Sequence, residues 1–174
     1  MLTLQIILFC QKSIYHWYAG PVLAANLALE KLKGDWIARN DDDDVWTTDH
    51  LEKLLNLAIK GNYDLVSSHY KVTDDQGTRV LTAFDNPKDY TKIGGTNTWL
   101  YKSYLKCIKY NIHCWRKNYF RVNDTDLSQR FYFSGIKTGY LEEVTTVMYP
   151  RPGEGLIGSK AYLMDEKAYE KFYS

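Results

Sequence analysis

Gly34-Asp35-Trp36-Ile37-Ala38-Arg39-Asn40-Asp41-Asp42-Asp43-Asp44-Val45-Trp46 is the stretch on which the fold turns. Trp36–Arg39 reads as a short strand that runs straight into four adjacent carboxylates. Such carboxylates repel one another and gain little from closeness unless a cation sits among them. Hard oxygen donors of this kind suit magnesium, manganese or calcium. In extended backbone, side chains two apart share a face, so either Asp41 with Asp43 or Asp42 with Asp44 can point one way. A solvated acidic turn ahead of the next helix is the competing reading. A calcium loop of the EF-hand kind is excluded, because no glycine stands at the sixth position counted from Asp41.

Outward from the acid run, strand and helix signals alternate. Upstream, Gly20-Pro21 opens a helix that ends near Gly34, with Pro21 suited to a first turn. Val22, Ala25, Leu27, Leu29 and Leu32 are too many for one face, which predicts a well-buried helix. Downstream, Thr47, Thr48 or Asp49 caps a helix in which Leu51, Leu54, Leu55 and Ala58 fall at i, i+3, i+4 and i+7, and Gly61-Asn62 stops it. Asp64–Val72 reads as a strand, Asp74–Gly77 as a turn and Thr78–Leu81 as its hairpin partner. Phe84–Lys92 reads as a loop, Lys102–Tyr110 as a helix, Asp124 or Thr125 to Phe133 as another. Lys137–Met148 reads as strands broken near Glu142-Glu143. Leu2–Phe9 and Tyr15–Tyr18 read as extended pieces, Pro150–Gly158 as a loop, and residues 160–174 as a closing helix. No repeat or linker divides the chain, so residues 1–174 are expected to form a single domain with an α/β sheet, Trp36–Arg39 being a central strand.

The bulk numbers narrow the function classes. A chain of 174 residues can bury a real core. The net charge of +1, without a basic block, leaves no electrostatic footprint for nucleic acid. Fifteen tyrosines suit a surface that binds polar ligands such as sugars. Cys10, Cys107 and Cys114 form no C-x-x-C pair and read as reduced thiols of a cytosolic protein. Met1–Cys10 is apolar but too short to span a bilayer, and it lacks the basic start of a signal peptide. His16, His50, His69 and His113 show no ligand spacing and read as surface or core residues.

Three segments, in order, resemble the heart of family-two glycosyltransferases. Gly20–Leu29, with Ala24-Ala25-Asn26-Leu27-Ala28-Leu29, followed by Gly34–Trp46 and Asp49-His50-Leu51, is similar to the family's "A-x-N-x-A-L", "G-x-W/Y-I-A", "D-x-D-D-x-W" and "P-D-x-L" elements. Gly94-Gly95-Thr96 resembles the small-residue segment ahead of the acceptor site. Asn123-Asp124-Thr125-Asp126-Leu127-Ser128-Gln129-Arg130 looks like "E-D-x-D-L-x-x-R", with Asn123 in place of the glutamate. The resemblance implies a GT-A-like mixed sheet with helices on both faces. It also implies metal-dependent, inverting transfer from a UDP- or GDP-linked sugar to a glycan or lipid-linked acceptor. The alternative on the same scaffold is a non-catalytic carbohydrate- or protein-binding remnant.

On that resemblance Asp41 and Asp43 hold Mn²⁺ or Mg²⁺. Asp41, Asp43, Asp44 and Arg151 bind the donor, Gly94, Gly95 and Thr96 face the acceptor, and Asp124 is the catalytic base. Asp126 is the competing base, and a plain helix N-cap is the competing role for Asp124. For Arg130 an ion pair competes with a phosphate contact. For Gly94-Gly95 the competing role is simply to permit a turn. The family places further nucleotide-binding strands before the A-x-N helix, so the domain is expected to be truncated at its N-terminus. An exposed sheet edge and homo-oligomerisation follow from that expectation. A cytoplasmic location, with peripheral association at the inner membrane face, completes the set.

Overall fold

A computed structural model describes residues 22–41, 44–74, 77–81, 93–116 and 122–149. The readings at Leu2–Phe9, Tyr15–Tyr18, Phe84–Lys92 and everything beyond Tyr149 lie outside the described residues, as do Asp42 and Asp43. In chain order the elements are α1 (Val22–Lys31), β1 (Trp36–Ala38), β2 (Asp44–Trp46), α2 (His50–Gly61), β3 (Leu65–Asp74), β4 (Gly77–Leu81), β5 (Leu100–Lys102), α3 (Asn123–Phe133) and β6 (Thr138–Met148). Short 3₁₀ turns lie at Thr96–Thr98, Ser103–Cys107 and Cys114–Arg116.

The strands form one mixed sheet in the order β1-β5-β3-β6-β2, with β4 added to β3. β3 and β6 run parallel; every other pairing is antiparallel. β5 takes β3 at Leu65 and Val66, and β4 takes it from Tyr70 to Asp74. Side chains alternate across a strand, so Leu65 and Val66, both with no exposed surface, serve opposite cores. Leu65 and Tyr101 pack with Val22 and Leu29 of α1 and Leu127 and Phe131 of α3. Val66 and Leu100 pack with Leu54 and Ala58 of α2. The sheet therefore carries helices on both faces, as a GT-A-like fold requires.

Helix α2 follows its periodicity. Leu54 and Ala58 are buried one turn apart, Glu52 and Lys60 stand at the ends that suit the helix dipole, and Asn62 closes it in the left-handed region at φ 48° and ψ 50°. Its N-cap, Asp49, makes no capping bond; its carboxylate instead accepts from the Thr47 hydroxyl at 2.7 Å and pairs with Lys53 at 2.9 Å.

Four expectations need correcting. Helix α1 is not well buried: Val22 and Leu29 face the core with Asn26 between them, while Leu23 and Leu27 are 53% and 46% exposed. Turning 100° per residue, the helix has room for only one of its two apolar stripes against the sheet. Strand β1 pairs only with β5 among the described residues and is an edge of the described ladder, not its centre. The reading of a helix at Lys102–Tyr110 fails, because Trp99–Tyr101, all buried, feed a strand inserted between β1 and β3, and only a 3₁₀ turn follows. Lys137–Met148 contains one strand, not several. Its expected break survives as a register irregularity, in which Ser68 pairs Leu141, His69 pairs Val144 and Tyr70 pairs Thr146.

That irregularity helps to build a buried polar chain. Ser68 Oγ donates to the His69 carbonyl at 3.1 Å and lies 2.6 Å from Thr145 Oγ1. Having spent its proton, Ser68 accepts from Thr145, and Thr145 in turn accepts from His50 Nδ1 at 2.7 Å. His50 is thus the Nδ1–H tautomer, stacked on Trp46 at 4.4 Å, and its buried Nε2 has no hydrogen-bond partner among the described residues. Protonation there would bury an N–H with no acceptor, and burial pushes the His50 pKa from 6.5 down to about 4. The unfolded chain binds this proton below 6.5 and the folded chain only near 4. Folding stability is therefore expected to fall through that window as pH drops, by about 3 kcal/mol in full. Urea denaturation at neutral and mildly acidic pH checks it: His50→Phe should lose distinctly less stability across the window than the parent, and equal losses would refute the assignment.

Candidate active site

The acid run leaves β1 at its carboxyl end and enters β2, the kind of strand end at which α/β sheets bind ligands. The Asp44 amide donates to the Asp41 carbonyl at 3.2 Å and closes the turn, and Asn40 Nδ2 braces it by donating to the Asp44 carbonyl at 3.3 Å. Asp44 is buried, while the Asp41 side chain is 40% exposed. Arg39 grips one Asp41 oxygen with two groups, Nε at 3.1 Å and Nη2 at 2.9 Å, both to Oδ1. Its Nη1 donates to the Tyr110 hydroxyl at 3.1 Å. Burial opposes the Arg39 charge, but Tyr110 and Asp41 more than offset it, so the guanidinium holds its proton more firmly than usual.

Asp124 stands in the first turn of α3, whose N-cap is Val122. The plain N-cap role is thereby set aside: Asp124 is inside the helix, and its Oδ1 accepts from the Thr125 amide at 2.7 Å. The residue keeps some solvent contact, yet burial of its carboxyl dominates and raises its pKa above the usual 3.8. The Thr125 amide and the Arg39 charge pull the other way, and the Asp41 charge adds to the rise. Asp124 and Asp41 therefore share one electrostatic neighbourhood, centred on Arg39 and Tyr110. The Tyr110 phenol, itself pushed up by burial and pulled down by Arg39, feels both carboxylates. The competing base, Asp126, is 1% exposed and paired with Arg130 at 2.8 Å, one helical turn on. That pair gives Arg130 its ion-pair role.

Gly94-Gly95-Thr96 lies against β3 beside the acid turn. A side chain at Gly94 would bring its Cβ to 2.4 Å from the Ser68 carbonyl oxygen, so the residue's smallness serves close packing on the strand. Neither glycine has a positive φ, so a left-handed turn is not what they permit. The segment is fixed by Gly94 N–H to Ser67 Oγ at 2.8 Å and by Trp99 Nε1 to the Gly94 carbonyl at 2.8 Å. Trp46, two residues after Asp44, donates from Nε1 to the Asn97 carbonyl at 2.9 Å and ties the acid turn to this segment. Thr96 is buried.

The structure thus brings together Asp41, Asp44 and Asp124, with Gly94–Thr96 tied to the same turn, while Asp43 and Arg151 lie outside the described residues. Sequence reasoning missed Arg39, Tyr110, Asn26 and Trp46. A cation lodged between a strand and four carboxylates was the signal for Arg39.

Divalent cations of the magnesium kind take one or two carboxylates and fill the shell with water and phosphate oxygens. Asp41 fits that use: its Oδ1 is taken by Arg39, its Oδ2 is outside that grip, and the side chain reaches solvent. No group of three or more His, Cys, Asp or Glu converges for a metal among the described residues.

The glycosyl transferase family 2 model matches residues 16–140. The chain belongs to that family. A Haemophilus influenzae protein described as an uncharacterized glycosyltransferase is 36% identical over 72 residues, which are 41% of this chain and 29% of that protein. Among solved structures, S. aureus TarS in complex with UDP-GlcNAc aligns at a TM-score of 0.55 with 17% identity, covering 75% of this chain and 39% of that one. TarS in complex with UDP aligns at 0.56 with 17% identity, covering 78% and 41%. At such identities the likeness shows the fold, and this chain spans less than half the length of each of these relatives. No helix among the described residues is long and apolar enough to cross a membrane.

A stability measurement checks the placement of Asp124. A carboxyl whose pKa folding raises is protonated more readily folded than unfolded, so its contribution to stability declines as pH rises from 3.8 through its folded value. Asp124→Asn keeps an oxygen for the Thr125 amide and removes the buried charge. Its thermal midpoint is expected to exceed the parent's at neutral pH, with the gap closing below the ordinary aspartate range. A midpoint lowered at neutral pH would contradict this account.

Proposed function

We propose that the chain carries the sugar-transfer site of a nucleotide-sugar-dependent glycosyltransferase. It would act on a UDP- or GDP-linked donor and a glycan or lipid-linked acceptor, with inversion at the anomeric carbon and in the cytoplasm. The observation that carries this reading is that Asp41 and Asp124, far apart in a family 2 chain, both feel the Arg39 guanidinium, Asp41 bonded to it and Asp124 within reach of its charge. That TarS is a structure with UDP-GlcNAc bound supports the donor class.

Each residue then has a task. Asp41 and Asp43 would hold Mn²⁺ or Mg²⁺, which when bound neutralises the diphosphate that leaves. Asp44, buried at the start of β2, fixes the turn, and Arg151 is assigned by the family resemblance to the diphosphate. Gly94, Gly95 and Thr96 line the acceptor side. Asp124 accepts the acceptor hydroxyl's proton as the new C–O bond forms and the bond from the anomeric carbon to the phosphate oxygen breaks. Burial raises its pKa, which makes its carboxylate a stronger base than an exposed aspartate. Attack from the face opposite the leaving group requires base and diphosphate site to flank the sugar, the arrangement this reading assigns to Asp124 and the Asp41 side.

Two measurements test this. Calorimetry with UDP and with GDP should show binding that strengthens in Mn²⁺, and Asp43→Ala should abolish the metal-dependent part; an Asp43→Ala protein that binds like the parent removes that residue from the site. With a substrate pair in hand, Asp124→Asn should cut turnover by about 10²–10⁴-fold and leave donor affinity nearly unchanged. Full turnover in the Asn protein would exclude Asp124 as the base. Nucleotide binding with no transfer to any acceptor, and none to water, would instead favour a non-catalytic binding domain.

A further inference from the structure

The donor-site reading leaves unexplained a line of polar contacts that begins on α1 and ends on Asp41. Asn26 sits on the core-facing side of α1, one turn from Val22. Its side-chain amide meets the Tyr110 backbone twice: Nδ2 donates to the Tyr110 carbonyl at 2.9 Å, and Oδ1 accepts from the Tyr110 amide at 2.8 Å. Two bonds to the backbone of one residue fix position and orientation together. Tyr110 is buried, and its hydroxyl accepts from Arg39 Nη1 at 3.1 Å while the guanidinium carbon lies 5.6 Å from the ring centroid. The remaining edge of the guanidinium, Nε and Nη2, converges on Asp41 Oδ1. The planar fork is thus held from one side by Tyr110 and holds one carboxylate oxygen on the other.

Stability gives little reason for this arrangement. Desolvating a guanidinium is costly, and a well-packed apolar side chain commonly serves a fold as well as a buried ion pair. What the fork does supply is a fixed direction for a half-exposed carboxylate whose second oxygen it leaves alone. Carboxylates that ligate metals depend on such outer partners, whose loss typically costs about 10–100-fold in metal affinity or activity.

We infer that Asn26, Tyr110 and Arg39 form a strut that sets the Asp41 carboxylate for metal-assisted nucleotide binding, and that Arg39 and Tyr110 are positioning residues of the donor site. The inference rests on the donor-site reading above and adds to it which residues orient the carboxylate. Arg39 and Tyr110 touch Asp41 or each other and need touch no substrate. Their loss should therefore act on the metal-dependent part of binding rather than on nucleotide binding as a whole.

The test titrates the full chain calorimetrically with UDP and with GDP, once in MnCl₂ and once in EDTA, and takes the ratio of the two affinities. Arg39→Lys keeps the charge and loses the fork; its ratio should fall about 10-fold. Tyr110→Phe keeps the ring under the guanidinium and loses only the hydroxyl; its ratio should fall about 3-fold, at the level of one modest hydrogen bond. Thermal midpoints near the parent's would accompany both results. A folded Tyr110→Phe protein with the parent's ratio overturns the strut, and so does a variant whose midpoint drops while its ratio stays put, because that marks a purely structural role. Tyr110→Phe decides the matter if Arg39→Lys fails to fold. A parent that binds neither nucleotide overturns the donor-site reading itself and the strut with it.

Discussion

Every described layer of the molecule rests on β3. Its first two residues, Leu65 and Val66, have no solvent contact and face opposite cores, so this strand, with Leu100 and Tyr101 of β5 beside it, joins the α1–α3 side to the α2 side. One edge holds the parallel partner β6; the other is shared, β5 at the start and β4 at the end. Parallel pairing with cover on both faces is the burial pattern of α/β sheets. The same strand sets the wall of the candidate site, since Ser67 Oγ accepts from the Gly94 amide and the Ser68 amide donates to Thr98 Oγ1, which together hold the Gly94–Thr98 segment on the sheet. A residue with a side chain at position 94 would push this wall away from the strand.

The site is an exercise in keeping like charges close. Asp41 and Asp124 carry like charge, and the Asp41 charge adds to the cost of ionising Asp124. Arg39 relieves that cost, bonded to Asp41 and felt by Asp124. Tyr110 then prevents the guanidinium from collapsing wholly onto either carboxylate, because one of its three N–H directions is already engaged. A lysine in place of Arg39 would offer charge without the fixed fork and would be free to swing to whichever carboxylate is more exposed. The arrangement leaves Asp124 with a pKa above its ordinary value, because burial outweighs what Arg39 and the Thr125 amide give back.

Much of this was legible in the residues. The acid run after Trp36–Ala38, the i, i+4 pair Leu54 and Ala58, the stop at Asn62 and the hairpin around Gly77 each carry a local physical signal, and each holds. Strand β5 was not legible, because three residues flanked by turns give too short a pattern to separate from a helix start. Helix α1 misled because an apolar count says nothing about which stripe the sheet will cover. The strut was missed for a different reason: Asn26, Arg39 and Tyr110 are far apart in sequence and meet only once α1, β1 and the turns after β5 have packed. The trace they leave is an amide on the core-facing line of an Ala- and Leu-rich helix. Such a group must find partners inside the protein.

The shape of the sheet explains why the carboxylates gather at all. β1 and β2 are joined by only five residues, 39–43, yet they stand at opposite ends of the strand order, with β5, β3 and β6 between them. On a flat sheet four inter-strand steps would separate them by about 19 Å. A link of that length, fully extended, reaches about 20 Å. The link is not extended, since the Asp44 amide closes a turn onto the Asp41 carbonyl. The two ends must therefore be brought together by curling. The staggered pairings permit it, for β5 grips β3 at Leu65–Val66 while β2 joins β6 at Thr146–Met148, level with Tyr70–Val72. The acid turn is the clasp of that curl, and Trp46 locks it by donating to Asn97 on the segment that rests on β3. The geometry of the candidate site and sheet curvature are thus one constraint: loosening the clasp would separate Asp41 from Gly94–Thr96 before it disturbed either hydrophobic core.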